Sequence, residues 1–558
     1  MNPLAELRAA VEAASTELRG DRAAPAVAPT LARPKLEAHG DYATNAAMLL
    51  APLLGEPPRA IAERVGAELR GRLGEQLEHT DVAGPGFLNL VLADRWYRAA
   101  VAHVVGEGER FGVGDVGAPE RILVEFVSAN PTGPVTVASG RHAAYGDSLV
   151  RTLRFAGHEV VSEYYVNDYG SQVLRFGESI RARARGEQVP EDGYQGDYVR
   201  ELADAIEGAA ERDPQELTLA AVALMRERIE RSLDVFGVHF DGWFSERSLH
   251  EGDRPTAVDR VEQELERAGH VYRSEGASWL RATNFGDDKP RVVRRSDGEP
   301  TYFAADIAYH EDKRARGFTR LIDVWGSDHH GYIKRMQAAW QSLGGDPQQL
   351  EIVIMQYVHL IEAGARAGMS KRRGDFITLD ELISQIGVDA ARFFMVQRSH
   401  DTEMDLDLDL ARSQSAENPV YYVQYAHARI ASIRAKAGEA RVAEALASIE
   451  GAAGESERGG EDGGGNAVAL EAAERTLVRT LLEFPAIVAE AVERRAPHRI
   501  AACALELAQV FTAFYRDCHV VGAEPRSVES FRLALAVATQ GVLARALELL
   551  GVSAPQEM

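Results

Sequence analysis

Apolar positions along this chain recur with two periods, and the architecture changes where the period changes. Up to about residue 115, helical spacing alternates with short β-rich runs. Helices are expected over 45–54 and 58–73, the second with proline in its first turn. The run 83–92, AGPGFLNLVL, reads as a turn and then a half-buried strand. A glycine-rich stretch, 106–117, reads as a linker. From Arg121 the order becomes strand (122–127), loop (128–133, with Asn130-Pro131 and Gly133), helix (139–156) and strand (159–166). Tyr145, Leu149, Leu153 and Ala156 share one face of that helix, and Gly157 stops it. Strand runs at 321–325 and 352–358, with a helix at 332–343 between them, repeat the alternation. The class this predicts is α/β, with a Rossmann-type doubly wound parallel sheet.

Residues 175–285, about midway, read as a mainly helical insertion. Beyond about 415 the strand signal ends. Asn418-Pro419 opens a helix whose apolar face is Val423, Ala426, Ile430 and Ile433, and further helical patterns follow at 477–493, 497–515 and 527–550. The Gly-, Glu- and Ser-rich stretch 451–466 reads as a mobile loop. Three domains are therefore expected: an α+β domain over 1–115, the α/β domain over 116–414 and an all-α bundle over 415–558.

Composition narrows the partners. A chain of 558 residues divides into several cores rather than one. It carries 85 Asp and Glu against 62 Lys and Arg, a formal charge of −23, which argues against charge-driven, non-specific binding to DNA. Local basic patches at 289–295 and 371–373 remain available for phosphate contact. The first residues, MNPLAELRAAVEAAS, read as an amphipathic helix rather than a signal peptide. No run of ~20 apolar residues could span a bilayer, so a soluble, cytoplasmic protein without membrane attachment is expected. Cys503 and Cys518, if on one helix, lie roughly 22 Å apart, beyond the ~7 Å that a disulfide allows. No Cys-x-x-Cys pair exists, so no structural metal site is expected.

Several segments carry chemistry. EFVSANPTGP (125–134) runs from a strand into a loop, and the turn from Thr132 to Gly140 places a helix amino terminus, with its free N–H groups, at the sheet's carboxyl edge. MSKRRG (369–374), followed by DFITL, offers the positive charge of Lys371. With EYYVND (163–168), PTYFAADIAYH (300–310), VWGSDHHG (324–331), QSAENPVYYVQYAHAR (414–429) and the ending LGVSAP (550–555), these segments resemble arginyl-tRNA synthetases, members of the class I aminoacyl-tRNA synthetases, along nearly the whole chain.

The resemblance implies an arginine–tRNA ligase: ATP-dependent activation of L-arginine, with Mg²⁺, and transfer to tRNA(Arg), by a monomer. It implies that Glu125, Asn130, Tyr302, Asp306 and His329 bind arginine, with Asp306 on the guanidinium, whose fixed donors fork onto a carboxylate. Tyr302 and Asp306 are four apart and share a helix face. It implies Pro131, Thr132, Gly133, Asp328, Met369 and Lys371 at ATP, and Ser370 and Lys371 in the catalytic loop. For tRNA it implies Phe87 and Asn89 at the outer corner, and Tyr421, Tyr425 and Arg429 at the anticodon.

One signature departs from the family. Where His-Val-Gly-His is usual, this chain has Thr136-Val137-Ala138-Ser139, and Gly368 replaces the first lysine of the second signature. His142 stands one helical turn after Ser139, where the family more often has glycine. His142, Thr136 and Ser139 are candidate replacements for the missing donors. The rival reading is a tRNA-binding paralogue with impaired catalysis. A synthetase for another amino acid fits EYYVND and the 300–310 segment less well.

Overall fold

Five short strands pair side by side and all in parallel, in the spatial order Leu350–Met355, Arg320–Gly326, Arg121–Glu125, Glu159–Val166, Gly242–Ser245. The computed structural model describes residues 2–23, 27–34, 36, 39–114, 117–366, 377–457 and 468–558. The chain starts in the middle strand, winds outward to Gly242–Ser245, then crosses back to lay down Arg320–Gly326 on the other side. Strand order therefore reverses between Arg121–Glu125 and Arg320–Gly326. Helices leave these two strands in opposite directions, and a crevice opens beyond their carboxyl ends. Ile122, Leu123 and Val124 are each 0% exposed, as a parallel strand covered on both faces requires.

The helix after the middle strand spans Val137–Phe155. It starts two residues before the expected 139 because Thr136 caps it, the Thr136 hydroxyl oxygen accepting the Ser139 N–H at 3.3 Å. Gly146 lets this helix lie close on the sheet: a Cβ there would sit 2.2 Å from the Phe126 ring. A second helix, Tyr302–Ala315, is capped by Thr301 and packs beside Arg320–Gly326.

Three stretches differ from the expected pattern. Residues 171–235 are helical, as Ser171–Ala184, Asp197–Ala205 and Pro214–Val235, but Gly242–Ser245 then supplies the fifth sheet strand. Four residues are too few for alternation to show. Beyond it, Val271–Ser274, Ala277–Leu280 and Arg291–Arg294 form a small antiparallel sheet. The basic run 289–295 is partly spent inside this module, Arg291 pairing with Asp287 at 2.6 Å and Arg294 with Glu262 at 2.6 Å. The run 352–358 is divided, because Val358–Glu362 leaves the main sheet to pair with Ala365–Arg366 and Met404–Asp407. The helix Glu439–Glu457 extends into the glycine-rich stretch, since its Ala- and Glu-rich sequence favours helix; residues 458–467 lie outside the described ones.

Helices Pro419–Ala437, Ala472–Leu482, Phe484–Glu493, His498–Asp517 and Arg526–Leu549 build the carboxy-terminal bundle. Cys503 and Cys518 are buried and free there. The amino-terminal domain is a four-stranded sheet under helices Pro3–Arg19, Ala46–Leu54 and Pro58–Leu73. It docks on the bundle through Arg479–Asp41 at 3.0 Å and Arg475–Asp94 at 2.7 Å.

Arg392, fully buried, joins three parts of the chain. Its guanidinium pairs with Asp147 of Val137–Phe155 and donates to the carbonyls of Phe236 and Leu550, both at 3.0 Å. Removing one partner of a buried pair leaves the other charge unpaired, which costs about 3–5 kcal/mol. Arg392→Ala is therefore expected to lower the urea-unfolding free energy by about that much. An unfolding midpoint equal to the parent's would disprove this linking role.

Candidate active site

Three carboxylates stand in one row across the sheet. Asp323, Glu125 and Glu163 are register partners on adjacent strands, so their side chains emerge on one face at strand spacing, about 4.8 Å. Unscreened, they would repel. The helix Tyr302–Ala315 lies across them and supplies the opposite charge from one of its faces. Lys313, 0% exposed, donates to Glu125 Oε2 at 2.6 Å and to Asp323 Oδ1 at 2.8 Å. His310 Nε2 stands 2.9 Å from Asp323 Oδ2, and its Nδ1 stands 2.8 Å from the Asp306 carbonyl. Tyr309 donates to Glu163 at 2.7 Å, and Arg316, just past the helix, donates twice, at 2.6 and 2.8 Å. Burial opposes charge at Lys313, yet Asp323 and Glu125 push its pKa above the ordinary lysine value. Burial likewise opposes the Asp323 charge, but Lys313 and His310 hold its carboxyl well below the usual range.

Asp306 sits one turn earlier on the same helix face and has no such cation. It lines a cavity of about 420 Å³ at the crevice, together with Glu125, His142, Glu246, Tyr302 and His329. The Tyr332 hydroxyl donates to Asp306 Oδ2 at 2.5 Å. Burial nonetheless raises its pKa to about 6, with Tyr332 and His310 pulling the other way. Glu246, 2% exposed, follows the strand Gly242–Ser245 directly and faces the same space, with His250 Nε2 3.7 Å from its carboxylate. The wall thus holds buried carboxylate in excess of fixed cation. A ligand bringing its own positive charge is what such a cavity favours. A planar guanidinium, with donors on several sides, suits two separated carboxylates better than a point-charge ammonium.

The predicted residues divide in the structure. Glu125, His142, Tyr302, Asp306 and His329 converge on this cavity. Glu125 is held by Lys313 and by the Ser128 hydroxyl at 2.8 Å. Tyr302 is half-exposed at the mouth, and His329 is exposed, 3.6 Å from Asp328. Asn130 is exposed, its amide donating to Gln172 Oε1 at 2.7 Å; Gln172 itself lines the cavity. Pro131, Thr132 and Gly133 lie aside, under Asp197–Ala205, where the Tyr198 hydroxyl donates to the Thr132 carbonyl at 2.9 Å. Thr136 is occupied as a cap, with the Ser139 hydroxyl 3.3 Å from its own. Met369, Ser370 and Lys371 lie outside the described residues. The segment after them is anchored, because the Val137 N–H donates to the Ile377 carbonyl at 3.3 Å and the Leu379 N–H to Val135 at 2.8 Å.

Sequence reasoning missed Glu246 and Tyr332. An acid directly after the aromatic run GWFS was the available signal for Glu246, once that run is seen as a strand. Beside the first cavity is a second, about 560 Å³, sharing Tyr302 and Glu246 with it and walled by Arg181, Arg247 and Arg295. There the Tyr169 ring stacks on His250 at 4.0 Å.

In the amino-terminal domain, Phe87 is 41% exposed at the start of Phe87–Leu92, whereas Asn89 is buried between Ala43 and Asp81 in mid-strand. On the bundle, Tyr421 and Tyr425 stack at 6.1 Å, and the Arg429 guanidinium lies 4.7 Å from Tyr425 and 4.8 Å from Tyr515. Tyr515, from the helix His498–Asp517, is the member of this exposed ladder that the sequence did not single out.

Comparison with known proteins agrees with this layout. Residues 5–92 match the family model "Arginyl tRNA synthetase N terminal domain", residues 197–431 "tRNA synthetases class I (R), catalytic domain", and residues 423–558 "DALR anticodon binding domain". A curated arginine–tRNA ligase from Frankia alni is 46% identical over 544 residues, covering 95% of this chain and 94% of its own. One from Carboxydothermus hydrogenoformans is 42% identical over 543 residues, with the same coverage of 95% and 94%. The solved Thermus thermophilus arginyl-tRNA synthetase superposes with a TM-score of 0.74 at 23% identity, over 99% of each chain, and speaks for the fold.

The raised pKa of Asp306 has a measurable cost. The folded chain binds the Asp306 proton more tightly than the unfolded chain does, so ionising it weakens the fold. The penalty is absent below about pH 4, grows as pH rises toward 6, and is complete above it, at roughly 3 kcal/mol. Asp306→Asn keeps an acceptor for Tyr332 and removes the charge. Its unfolding free energy is expected to exceed the parent's by up to about 3 kcal/mol at pH 7 and to match it near pH 4. A variant less stable than the parent at pH 7 would contradict the burial argument.

Proposed function

The chain belongs to the arginyl-tRNA synthetase family, and on that premise we propose that the carboxylate-walled cavity at the crevice holds arginine while its carboxylate is joined to ATP. The protein is an arginine–tRNA ligase: it activates L-arginine with ATP and esterifies it to tRNA. The observation that carries the site assignment is the excess of buried carboxylate over fixed cation around Asp306. Asp306 and Glu246 take the guanidinium. Tyr302 closes the mouth over the side chain, and Glu125, already ordered by Lys313 and Ser128, meets the α-ammonium with Asn130 and His329 nearby. Lysine lacks the forked donors, so it leaves one buried carboxylate unsatisfied, which rejects it without an editing step.

The activation step is an in-line displacement at the α-phosphorus, so positioning and charge neutralisation do most of the work. ATP phosphates are placed at the amino end of Val137–Phe155, with Pro131, Thr132 and Gly133 shaping the turn and Asp328 and Met369 at the nucleoside. Lys371, with Ser370, supplies positive charge to the leaving pyrophosphate. It stands six residues before the anchored Ile377, and a chain of that length reaches at most about 20 Å, enough to cover the helix start. Among the described residues no group of three or more His, Cys, Asp or Glu forms a metal cage. Magnesium is therefore taken to arrive on the triphosphate, and no step above depends on it. The second cavity is assigned to the terminal nucleoside of the tRNA, with its arginines for phosphate and Tyr169 for stacking. Phe87, with Asn89 behind it, is assigned to the outer corner of the tRNA, and the ladder Tyr421, Tyr425, Arg429 and Tyr515 to anticodon bases. No helix among the described residues is long and apolar enough to cross a membrane. A monomer acting in the cytoplasm fits this reading.

Charging assays with ATP, purified tRNA and each of the protein amino acids test the assignment. Arginine alone is expected to yield charged tRNA; tRNA binding without product would replace this reading with an impaired paralogue. Asp306→Asn is expected to lower kcat/KM for arginine by about 10²-fold or more, since a hydrogen bond to a charged group is lost. In the parent, kcat/KM for arginine is expected to fall as pH drops below about 6, where Asp306 takes up a proton. A flat profile from pH 7 down to pH 5 would remove Asp306 from guanidinium binding.

A further inference from the structure

We propose that His142 is a catalytic residue, donating a hydrogen bond from its neutral imidazole to the non-bridging oxygens of the α-phosphate as arginine attacks it. This rests on the assignment of the cavity to arginine activation and adds the group that meets the developing charge.

The ring lies where the two substrates must meet. His142 is in the second turn of Val137–Phe155 and lines the cavity that holds Asp306. Its Cε1 is close to the end of Arg320–Gly326, since a Cβ built on Gly326 would stand 3.9 Å from it. The ring therefore spans the crevice between the helix and the strand across the reversal point. Long helical side chains lean back toward the amino terminus. A side chain at position 142 therefore leans over the turn holding Ala138 and Ser139, whose side chains are small.

Neither nitrogen of the His142 ring has a hydrogen-bond partner among the described residues, whereas both nitrogens of His310 are engaged. A polar group left unpaired in the wall of a substrate cavity calls for a partner from the ligand. Burial first, and the neighbouring Arg141 second, push its pKa down to about 4, so at neutral pH it carries one N–H and no charge. The other candidates in this turn are spent, Thr136 on the cap and Ser139 against Thr136. Arg141, the preceding residue, is pinned by four carbonyls, of Gln356, Tyr357, Ser399 and Thr402, at 2.6–3.1 Å. That anchorage fixes how His142 is presented.

The step balances without proton transfer. An arginine carboxylate oxygen forms a bond to the α-phosphorus, the bond from that phosphorus to the pyrophosphate oxygen breaks, and pyrophosphate leaves with the electron pair. Negative charge on the non-bridging oxygens is greatest between these events, and His142 contributes only a donor, remaining neutral throughout.

Arginine-dependent ATP–pyrophosphate exchange, measured with tRNA present, tests the proposal. His142→Ala is expected to lower kcat by about 10²-fold, the usual loss for one preorganised donor, with KM for arginine changed less than about threefold. His142→Asn, which keeps an N–H donor, is expected to recover about tenfold over the alanine variant. Thermal midpoint and tRNA affinity, measured alongside, are expected to match the parent's. An alanine variant with parental kcat overturns the proposal. So does one that raises KM while kcat holds, because His142 would then be a ground-state contact. If the alanine variant does not fold, the asparagine variant decides by the same split between kcat and KM. A parent that exchanges no pyrophosphate with arginine would instead overturn the functional assignment on which the proposal rests.

Discussion

Lys313 sits between Glu125 and Asp323, and much of the catalytic domain depends on that contact. Two carboxylates in register on adjacent parallel strands, with a third at Glu163 beyond, cannot be buried together unless cations stand between them. One helix supplies those cations, Lys313 and, just past its end, Arg316, with the His310 imidazole on the same face beside Asp323. The ion pairs therefore do more than neutralise: they set the height and rotation of the helix Tyr302–Ala315 against the sheet. Tyr302 and Asp306 lie on the same helix, so their positions in the cavity follow from the pairing below them. The charge that keeps the sheet together also aims the Asp306 carboxylate into the cavity.

The row stops short of Asp306, and the proposed arginine site rests on that omission. Every carboxylate in the row has a fixed cation within hydrogen-bond reach, while Asp306 has a tyrosine hydroxyl and Glu246 has a histidine at 3.7 Å. The unliganded fold bears the resulting desolvation as a raised pKa at Asp306. In the proposed reading, a guanidinium relieves it on arrival. On that reading, affinity and selectivity for arginine have one origin, because a ligand that satisfies fewer acceptors leaves more of the burial cost in place. On the same reading, stability is given up at the spot where specificity is gained.

Around this centre the chain is tied together by arginines as well as by an apolar core that runs from Leu4 to Val552. Arg392 links the insertion, the crevice helix Val137–Phe155 and the carboxy terminus; Arg141 fastens that helix to the loops at 356–357 and 399–402; Arg475 and Arg479 bind the bundle to the amino-terminal domain. A fixed planar donor fork suits such junctions, where several carbonyls or a carboxylate converge from different segments. The amino-terminal domain and the bundle thereby keep their relation to each other.

Long periodic segments were legible from the residues themselves. The strands near 122–127 and 159–166, the helix beginning at about 139 and the bundle after 415 show their periods over many residues, and Asp306 and Tyr302 are recognisable as a one-face pair. Motifs marked the cavity's neighbourhood: EFVSANPTGP ends a strand, and VWGSDHHG ends another. What local pattern could not carry was anything that depends on partners far along the chain. Gly242–Ser245 is too short to show alternation, so its place at the sheet edge, and with it Glu246 in the cavity wall, arises only from packing. Pro131, Thr132 and Gly133 are visible in one dimension as a turn before the crevice helix, but the hydrogen bond from Tyr198 to the Thr132 carbonyl arises only in the fold. Tyr515 joins Arg429 across two helices that are distant in sequence. Spacing along one element decides which side chains share a face; which of those faces meet, and which carboxylate is left without a cation, is settled by tertiary contact alone, because electrostatic energy depends on distance in space.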